Sequence, residues 1–181
     1  ESSCPFITEK LGEMEIESIQ PYEMLSALPE SSRKRFYDMA GFDYDKFAAL
    51  FDASPKKTLI IIGTSHADDA SARLQRDYVA RIMEQYGAQY DVFFKPHPAD
   101  TTSAGYETEF PGLTLLPGQM PFEIFVWSLI DRVDMIGGYP STVFLTVPVD
   151  KVRFIFAADA ESLVRPLNIL FRDATDVEWM Q

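Results

Sequence analysis

The chain has 181 residues, 46% of them hydrophobic and 13% aromatic. That is enough for one packed domain, or one with an appendage, and too apolar for a disordered chain. Sixteen basic against 28 acidic residues leave a net charge of −12, which argues against nucleic-acid binding by counterion release. Cys4 is the single cysteine, and His66 and His97 are the two histidines, so no internal disulfide, metal centre or cofactor is expected. The longest apolar runs, Leu59 to Ile62 and Val143 to Val149, fall far short of the ~20 residues of a membrane span. No basic stretch leads into an apolar one at the start, so no signal peptide is expected, and the missing initiator methionine fits a fragment.

Residues 1–30 read as irregular and acidic, punctuated by Pro5, Pro21 and Pro29, with Met24, Leu25 and Leu28 spaced for one helical turn. Two helices follow. Ser31-Ser32 is a candidate N-cap, Phe36, Met39 and Ala40 share a face, and Gly41 stops the first. The second, Tyr44 to Phe51, aligns Phe47, Leu50 and Phe51 before Ala53-Ser54-Pro55 breaks it.

From Lys57 the rhythm changes. Thr58 to Thr64 is a β-branched run that reads as a buried strand. Ser71 to Tyr86 reads as a helix, with Leu74, Tyr78, Ile82 and Tyr86 four residues apart and Gly87 as its C-cap. Strands are expected at Tyr90–Lys95, Gly112–Leu116, Arg132–Ile136 and Val152–Ala157. Helices are expected at Phe122–Ile130 and at Asp159–Phe171, the latter interrupted at Pro166, with a short helix or turn at Ser141–Val147. Strands alternating with helices predict a parallel sheet with helices on both faces. The reading is a doubly wound, Rossmann-like α/β domain over residues 57–181 with an N-terminal helical appendage over 1–56.

In such a sheet ligands bind beyond the carboxyl ends of the strands. Four segments fall there: Gly63-Thr64-Ser65-His66, Lys95-Pro96-His97-Pro98, Gly118 to Glu123, and Gly137-Gly138-Tyr139-Pro140-Ser141-Thr142. In the second, two prolines stiffen the backbone around His97, and a lysine beside an imidazole suits a phosphate; it also reads as a rigid surface turn. In the last, Ser141 or Thr142 can cap a helix, and hydroxyls with free N–H groups suit an anion; it also reads as an ordinary cap. Neither a dinucleotide fingerprint nor a Walker A loop is present. Glu123 either complements a helix dipole or accepts a ribose diol. Gly63-Thr64-Ser65-His66 either lines a ligand or turns the chain. Asp68 and Asp69 read as a helix cap first and a site carboxylate second.

Taken together these segments resemble bacterial sialyltransferases of glycosyltransferase family 80. The family's Lys-Gly-His-Pro turn is similar to Lys95-Pro96-His97-Pro98, and its Phe-Glu helix start to Phe122-Glu123. Its Asp-Lys-Val-Gly-Gly strand end with a Ser-Ser pair is similar to Asp134-Met-Ile-Gly-Gly138 and Ser141-Thr142. Its Ser-Leu-Pro-x-x-Lys-Ile and Phe-Thr-Gly-Thr stretches are matched by Thr146–Val152 and Ile61–Thr64, and a Phe-Tyr and Gly-Phe helix pair by Phe36-Tyr37 and Gly41-Phe42. The similarity spans about residues 30 to 172.

The resemblance implies one half of a GT-B fold, the donor-binding half, holding CMP-sialic acid or CMP for inverting transfer to a glycan. His97 would assist the departing CMP, Ser141 and Thr142 would cradle its phosphate, and Glu123 would hold the ribose. Backbone from Lys95 through Pro96 to Pro98 would read the cytosine, and Gly63, Thr64 and Gly138 would line the donor. Pro96 stands in place of the motif glycine and removes a backbone donor; Thr142 replaces the second serine. The family's general base is an aspartate of an N-terminal domain that this chain lacks, so the acceptor too would come through that domain. Polysialyltransferases and teichoic-acid glycerophosphotransferases share the His-Pro and hydroxyl motifs and a CMP or CDP leaving group. A non-catalytic interaction domain is the reading from a different class. The expected location is the cytoplasm or the periphery of the inner membrane face.

Overall fold

The computed structural model describes residues 21–53 and 55–181. The readings made for residues 1–20, with Cys4 and Pro5, and for Ser54 in the expected break, lie outside them. Six strands form one parallel sheet: β1 (Lys57–Ile62), β2 (Tyr90–Lys95), β3 (Leu113–Leu115), β4 (Met135–Gly138), β5 (Val152–Ile155) and β6 (Glu178–Trp179). Their spatial order is β3-β2-β1-β4-β5-β6. The chain winds outward from β1 to one edge, then returns to β4 and winds to the other. The contact between β1 and β4 is therefore the topological switch point of a Rossmann-like sheet.

The sheet is buried on both faces, which is why β1 reads as an unbroken run of Leu59, Ile60, Ile61 and Ile62. Alternate residues feed two cores. Leu59, Ile61, Val92 and Phe94 meet helix α4 (Asp69–Tyr86) and helix α5 (Tyr106–Glu109) on one face. Ile60, Ile62, Phe93 and Ile136 meet the opposite layer. That layer holds α1 (Pro21–Ala27), α2 (Glu30–Ala40), α3 (Tyr44–Asp52), α6 (Phe122–Leu129) and α7 (Leu167–Phe171). The N-terminal helices share its apolar core through Leu25, Tyr37, Phe47 and Phe51. Phe125 of α6 is their hub, with Phe42, Phe47, Phe51 and Phe122 all packed on its ring. Hydrogen bonds from Tyr22 to Asp131 and from Arg132 to Asp52 close the rim of this contact.

Several expectations are corrected. Helix α2 starts at Glu30 after Pro29, so Ser31 and Ser32 lie inside it. Leu25 is buried in α1, but Met24 and Leu28 are exposed. In α4 the inward stripe is Gln75, Tyr78, Val79 and Ile82, while Leu74 faces out. Gly87 ends α4 in a right-handed conformation, donating its N–H to Met83, rather than as a left-handed cap. Strand β4 begins at Met135, because Ile130–Arg132 is a 3-10 turn whose end is held by Val133 N–H on Ile130 O. Helix α7 begins only after Pro166; upstream, Asp159 accepts the Ser162 N–H at 2.8 Å and makes a turn instead. Helix α5 and strand β6 were not anticipated.

Two glycines carry the switch point. Gly138 has φ +126°, and a Cβ there would lie 2.2 Å from the Ile62 carbonyl oxygen. A Cβ on Gly137 would lie 2.4 Å from the Phe154 ring. By contrast Gly41, with φ +65°, caps α2 with open space around it. Gly138→Ala is therefore expected to destabilise the fold by about 3 kcal/mol or more, through strain and collision with backbone. Gly41→Ala should cost only about 1–2 kcal/mol, the left-handed penalty alone. Urea unfolding of the two variants compares them, and equal losses would refute this account.

Candidate nucleotide site at the strand ends

Ile62 is in register with Lys95 of β2 on one side and Gly138 of β4 on the other. The three strands thus end level. With strands about 4.8 Å apart, the ends of β2 and β4 lie ~10 Å from each other across β1. The predicted segments emerge along this single edge. Gly63 is the floor between them: buried, bonded through its N–H to Lys95 O at 3.0 Å, and unable to take a Cβ without meeting Phe94. Thr64 is half-buried, and its N–H is held by Gln75 Oε1 at 3.0 Å.

After β2, Pro96 is buried while His97 and Pro98 are exposed. His97 Nδ1 accepts the Ala99 N–H at 3.1 Å, and His97 O accepts the Asp100 N–H at 2.9 Å. With Nδ1 accepting, the neutral ring carries its proton on Nε2, the nitrogen left for a ligand. The turn leans on the loop before α6. Gln119 donates to Pro98 O at 2.9 Å, and Gly118 lies against Pro96 and His97.

Lys95 departs from its expected part. Its side chain does not stand out toward a phosphate. It is buried, and Nζ donates to Pro96 O at 2.7 Å and to Gly118 O at 2.8 Å. The ammonium pins the His97 turn to the Gly118 loop. Burial pulls it down to about 8, against an opposing pull from the charge of Glu123. Glu123 itself is exposed in the first turn of α6.

After β4, Ser141 is the N-cap of a single 3-10 turn, Thr142–Leu145, its Oγ accepting the Val143 N–H at 3.3 Å. The hydroxyl hydrogen remains to be donated outward, and Thr142 beside it is exposed. Asp68, read first as a cap, caps α4 by accepting the Ser71 N–H at 2.8 Å, and that bond holds its carboxyl below the usual range.

Sequence reasoning missed the polar layer behind this edge. Gln75 donates to Tyr106 Oη at 3.3 Å while holding Thr64. Its signal was present, since Gln75, Tyr78, Val79 and Ile82 follow i, i+3, i+4, i+7 spacing. Burial pushes the Asp100 carboxyl up, but hydrogen bonds from Thr102 and Ser103 and the attraction of His66 outweigh it and leave it below its ordinary value. Tyr139 is raised to about 12 by burial and by Tyr78 and Tyr106.

A groove of about 800 Å³ lies elsewhere, between α1, α2, α3 and α6, lined by residues such as Tyr22, Arg33, Tyr44, Trp127 and Asp131. The Tyr22–Asp131 and Lys34–Asp38 contacts pair some of its polar groups, and none of its lining residues lies on a strand. The strand-end edge is the better candidate. Among the described residues no three His, Cys, Asp or Glu are placed to hold a metal, and no helix is long and apolar enough to cross a membrane.

This architecture is shared with half of the GT-B domain of bacterial sialyltransferases. A sialyltransferase from Photobacterium damsela superposes with TM-score 0.74 at 24% identity, covering 98% of this chain and 42% of that one. Residues 113–497 of the Photobacterium damselae sialyltransferase, its GT-B domain, superpose with TM-score 0.77 at 22% identity, covering 100% and 52%. The 2,6-sialyltransferase of Photobacterium sp. JT-ISH-224, solved with CMP and lactose, superposes with TM-score 0.69 at 18% identity, covering 99% and 40%. The chain thus spans about half or less of the length of these proteins, and at these identities the likeness is one of fold. No protein-family model and no curated protein sequence matches the chain.

The Lys95 pin has a measurable pH signature. The unfolded lysine keeps its proton up to about 10.5 and the folded one only to about 8. Between those values the unfolded chain binds more protons, so stability rises with pH there and the cost of burying the charge is fully present below pH 8. Lys95→Met should flatten this rise between pH 8 and 10. The two carbonyls left without a donor cost roughly 1–3 kcal/mol, which at pH 7 is offset by the burial cost that Met removes, so the variant's deficit should grow from pH 8 to 10. Denaturant melts at pH 7, 8, 9 and 10 read both effects; an unchanged slope would discard the pin.

Proposed function

We propose that this chain is the donor-binding half of a sialyltransferase-like glycosyltransferase and that residues 57–181 bind CMP and CMP-sialic acid. The observation that supports this reading is the level edge of β2, β1 and β4. It gathers His97, Glu123, Ser141 and Thr142 at the switch point of a sheet shared with sialyltransferase GT-B domains, one of them solved with CMP. The phosphate sits over Gly63, between the His97 Nε2–H on one side and the Ser141 and Thr142 hydroxyls on the other. Glu123, at the start of α6, accepts the ribose hydroxyls.

In the transfer, an acceptor hydroxyl attacks the anomeric carbon of the donor from the face opposite the phosphate. The carbon–oxygen bond to CMP breaks, and its electron pair leaves with the phosphate. The hydroxyl proton goes to a base that, with the acceptor, belongs to the other half of the GT-B fold. Charge grows on the phosphate as CMP leaves, and the His97 Nε2–H and the Ser141 hydroxyl stabilise it most at that moment. Because the Ala99 N–H occupies Nδ1, His97 acts first as a hydrogen-bond donor in its neutral form.

Two outcomes are expected. CMP at millimolar concentration should raise the melting temperature by mass action, and UMP should do so less if cytosine is read. No shift with CMP would favour an interaction domain instead. In the protein at its natural length, His97→Ala should lower kcat by about 100-fold or more while weakening CMP binding far less. Normal turnover with a lowered melting temperature would make His97 structural.

A further inference from the structure

Behind the His97 turn lies a buried charge that the reaction above does not use. Lys95 is 5% exposed, and its Nζ donates to Pro96 O at 2.7 Å and to Gly118 O at 2.8 Å. Taking an ammonium out of water is costly, and the residues before it in β2, Phe93 and Phe94, are apolar. An apolar side chain of that length would carry no such cost. What the charge adds is a pair of strong, directed bonds between two loops. Another bond joins the same loops on the outside, where the exposed Gln119 donates through Nε2 to Pro98 O at 2.9 Å. The turn is thus clasped twice, on the residue before His97 and on the residue after it.

The two sides of this clasp differ in how firmly they are held. Gly118 and Gln119 lie in a turn closed by the Met120 N–H on Pro117 O at 3.1 Å. That turn runs into the start of α6, which is anchored: Met120 and Phe122 are buried, and Phe122 stacks on Phe125 with ring centroids 5.1 Å apart. Glu123 rides on this anchored helix start. The other side is looser, with His97, Pro98 and Ala99 all exposed. Its internal bonds run from the Ala99 N–H to the His97 ring and from the Asp100 N–H to His97 O. They fix the shape of the turn but not its distance from α6. A functional group carried on a loop needs support from outside that loop to be held precisely.

We propose that Lys95 and Gln119 are positioning residues: together they clasp the His97 turn to the start of α6, so that Nε2 faces the phosphate of a nucleotide whose ribose Glu123 holds. The proposal rests on the donor-site reading above and on the parts given there to His97 and Glu123. Opening the clasp then has an asymmetric effect. Glu123, on its anchored helix, keeps the ribose, so CMP binding changes little. His97 drifts, and misplacement by about 1 Å at a reacting centre can cost 100-fold in rate.

The test uses the protein at its natural length at pH 7, with CMP-sialic acid as donor and lactose as acceptor probe. Lys95→Met should lower kcat about 10- to 100-fold and Gln119→Leu about 3- to 10-fold, with the Kd for CMP within about threefold of wild type in both. Gln119→Arg, which restores an N–H donor, should recover kcat to within about twofold of wild type. Because Gln119 is exposed, its two variants should keep the wild-type melting temperature, and they decide the matter even if Lys95→Met folds poorly. Wild-type kcat in Gln119→Leu would overturn the proposal. So would equal losses in Gln119→Leu and Gln119→Arg, or a CMP affinity that falls as far as kcat does, which would make these side chains ligand contacts. If the wild type neither binds CMP nor transfers sugar, the reading of the function fails first. The clasp itself is then decided by proton NOEs between Gly118 and Pro96, which lie against each other. These should weaken in Gln119→Leu and recover in Gln119→Arg; unchanged NOEs would refute it.

Discussion

Everything at the strand-end edge depends on how closely β4 approaches β1. The Ile62 carbonyl accepts the Tyr139 N–H at 2.9 Å, past a Gly138 that leaves no room for a side chain. That approach brings the loops after β1, β2 and β4 level, and it occurs where the crossovers change faces. Had β4 been held off by one methyl group, the Ser141 turn would stand away from Gly63 and the crevice would widen. Gly137 and Gly138 are thus packing elements. The close approach makes the site, and the hydroxyls decorate it.

The electrostatics of the edge run against a simple picture of an anion site. The chain carries a net charge of −12, and the one cation of the motif, Lys95, is turned inward onto two carbonyls. An anionic ligand here would be met by fixed dipoles: an imidazole N–H, hydroxyls, and backbone amides. Such groups are held in place before a ligand arrives, so they need no reorganisation as charge develops. Lys151, half-buried, repeats the device elsewhere, capping Ile130 O at 3.0 Å and Val133 O at 2.6 Å, where the turn after α6 meets β4. In both places a lysine joins two loops that share no regular hydrogen-bond ladder.

The sheet was legible because its central strands are buried on both faces and two of them, β1 and β4, run into glycine. β1 and β2 announce themselves by composition, and the segments at their carboxyl ends stand out by their prolines, histidines and glycines. What escaped was set by tertiary context. Strand β6 is two residues long, too short for any period. Leu74 and Gln75 are adjacent, and hydrophobicity favours the leucine, yet the helix phase buries the glutamine because Thr64 and Tyr106 need it. No sequence pattern says that the Lys95 side chain folds back on its own turn. The candidate residues for chemistry were therefore visible by type and order, whereas the groups that hold them were visible only in three dimensions.

The aromatic hub at Phe125 has a consequence for the way the chain is made. Helices α1–α3 are synthesised before α6, yet their apolar faces rest on α6 and on the turn after it. Asp52 meets its partner Arg132 from 80 residues away, and Tyr22 meets Asp131 from 109. At 5–20 residues per second, a ribosome needs roughly 4–16 s to extend the chain from Asp52 to Arg132. For that interval Phe42, Phe47 and Phe51 have no α6 to cover them. The nascent chain carries an uncovered aromatic surface ahead of β1, and the stretch from β1 to β3 must be made before that surface can close.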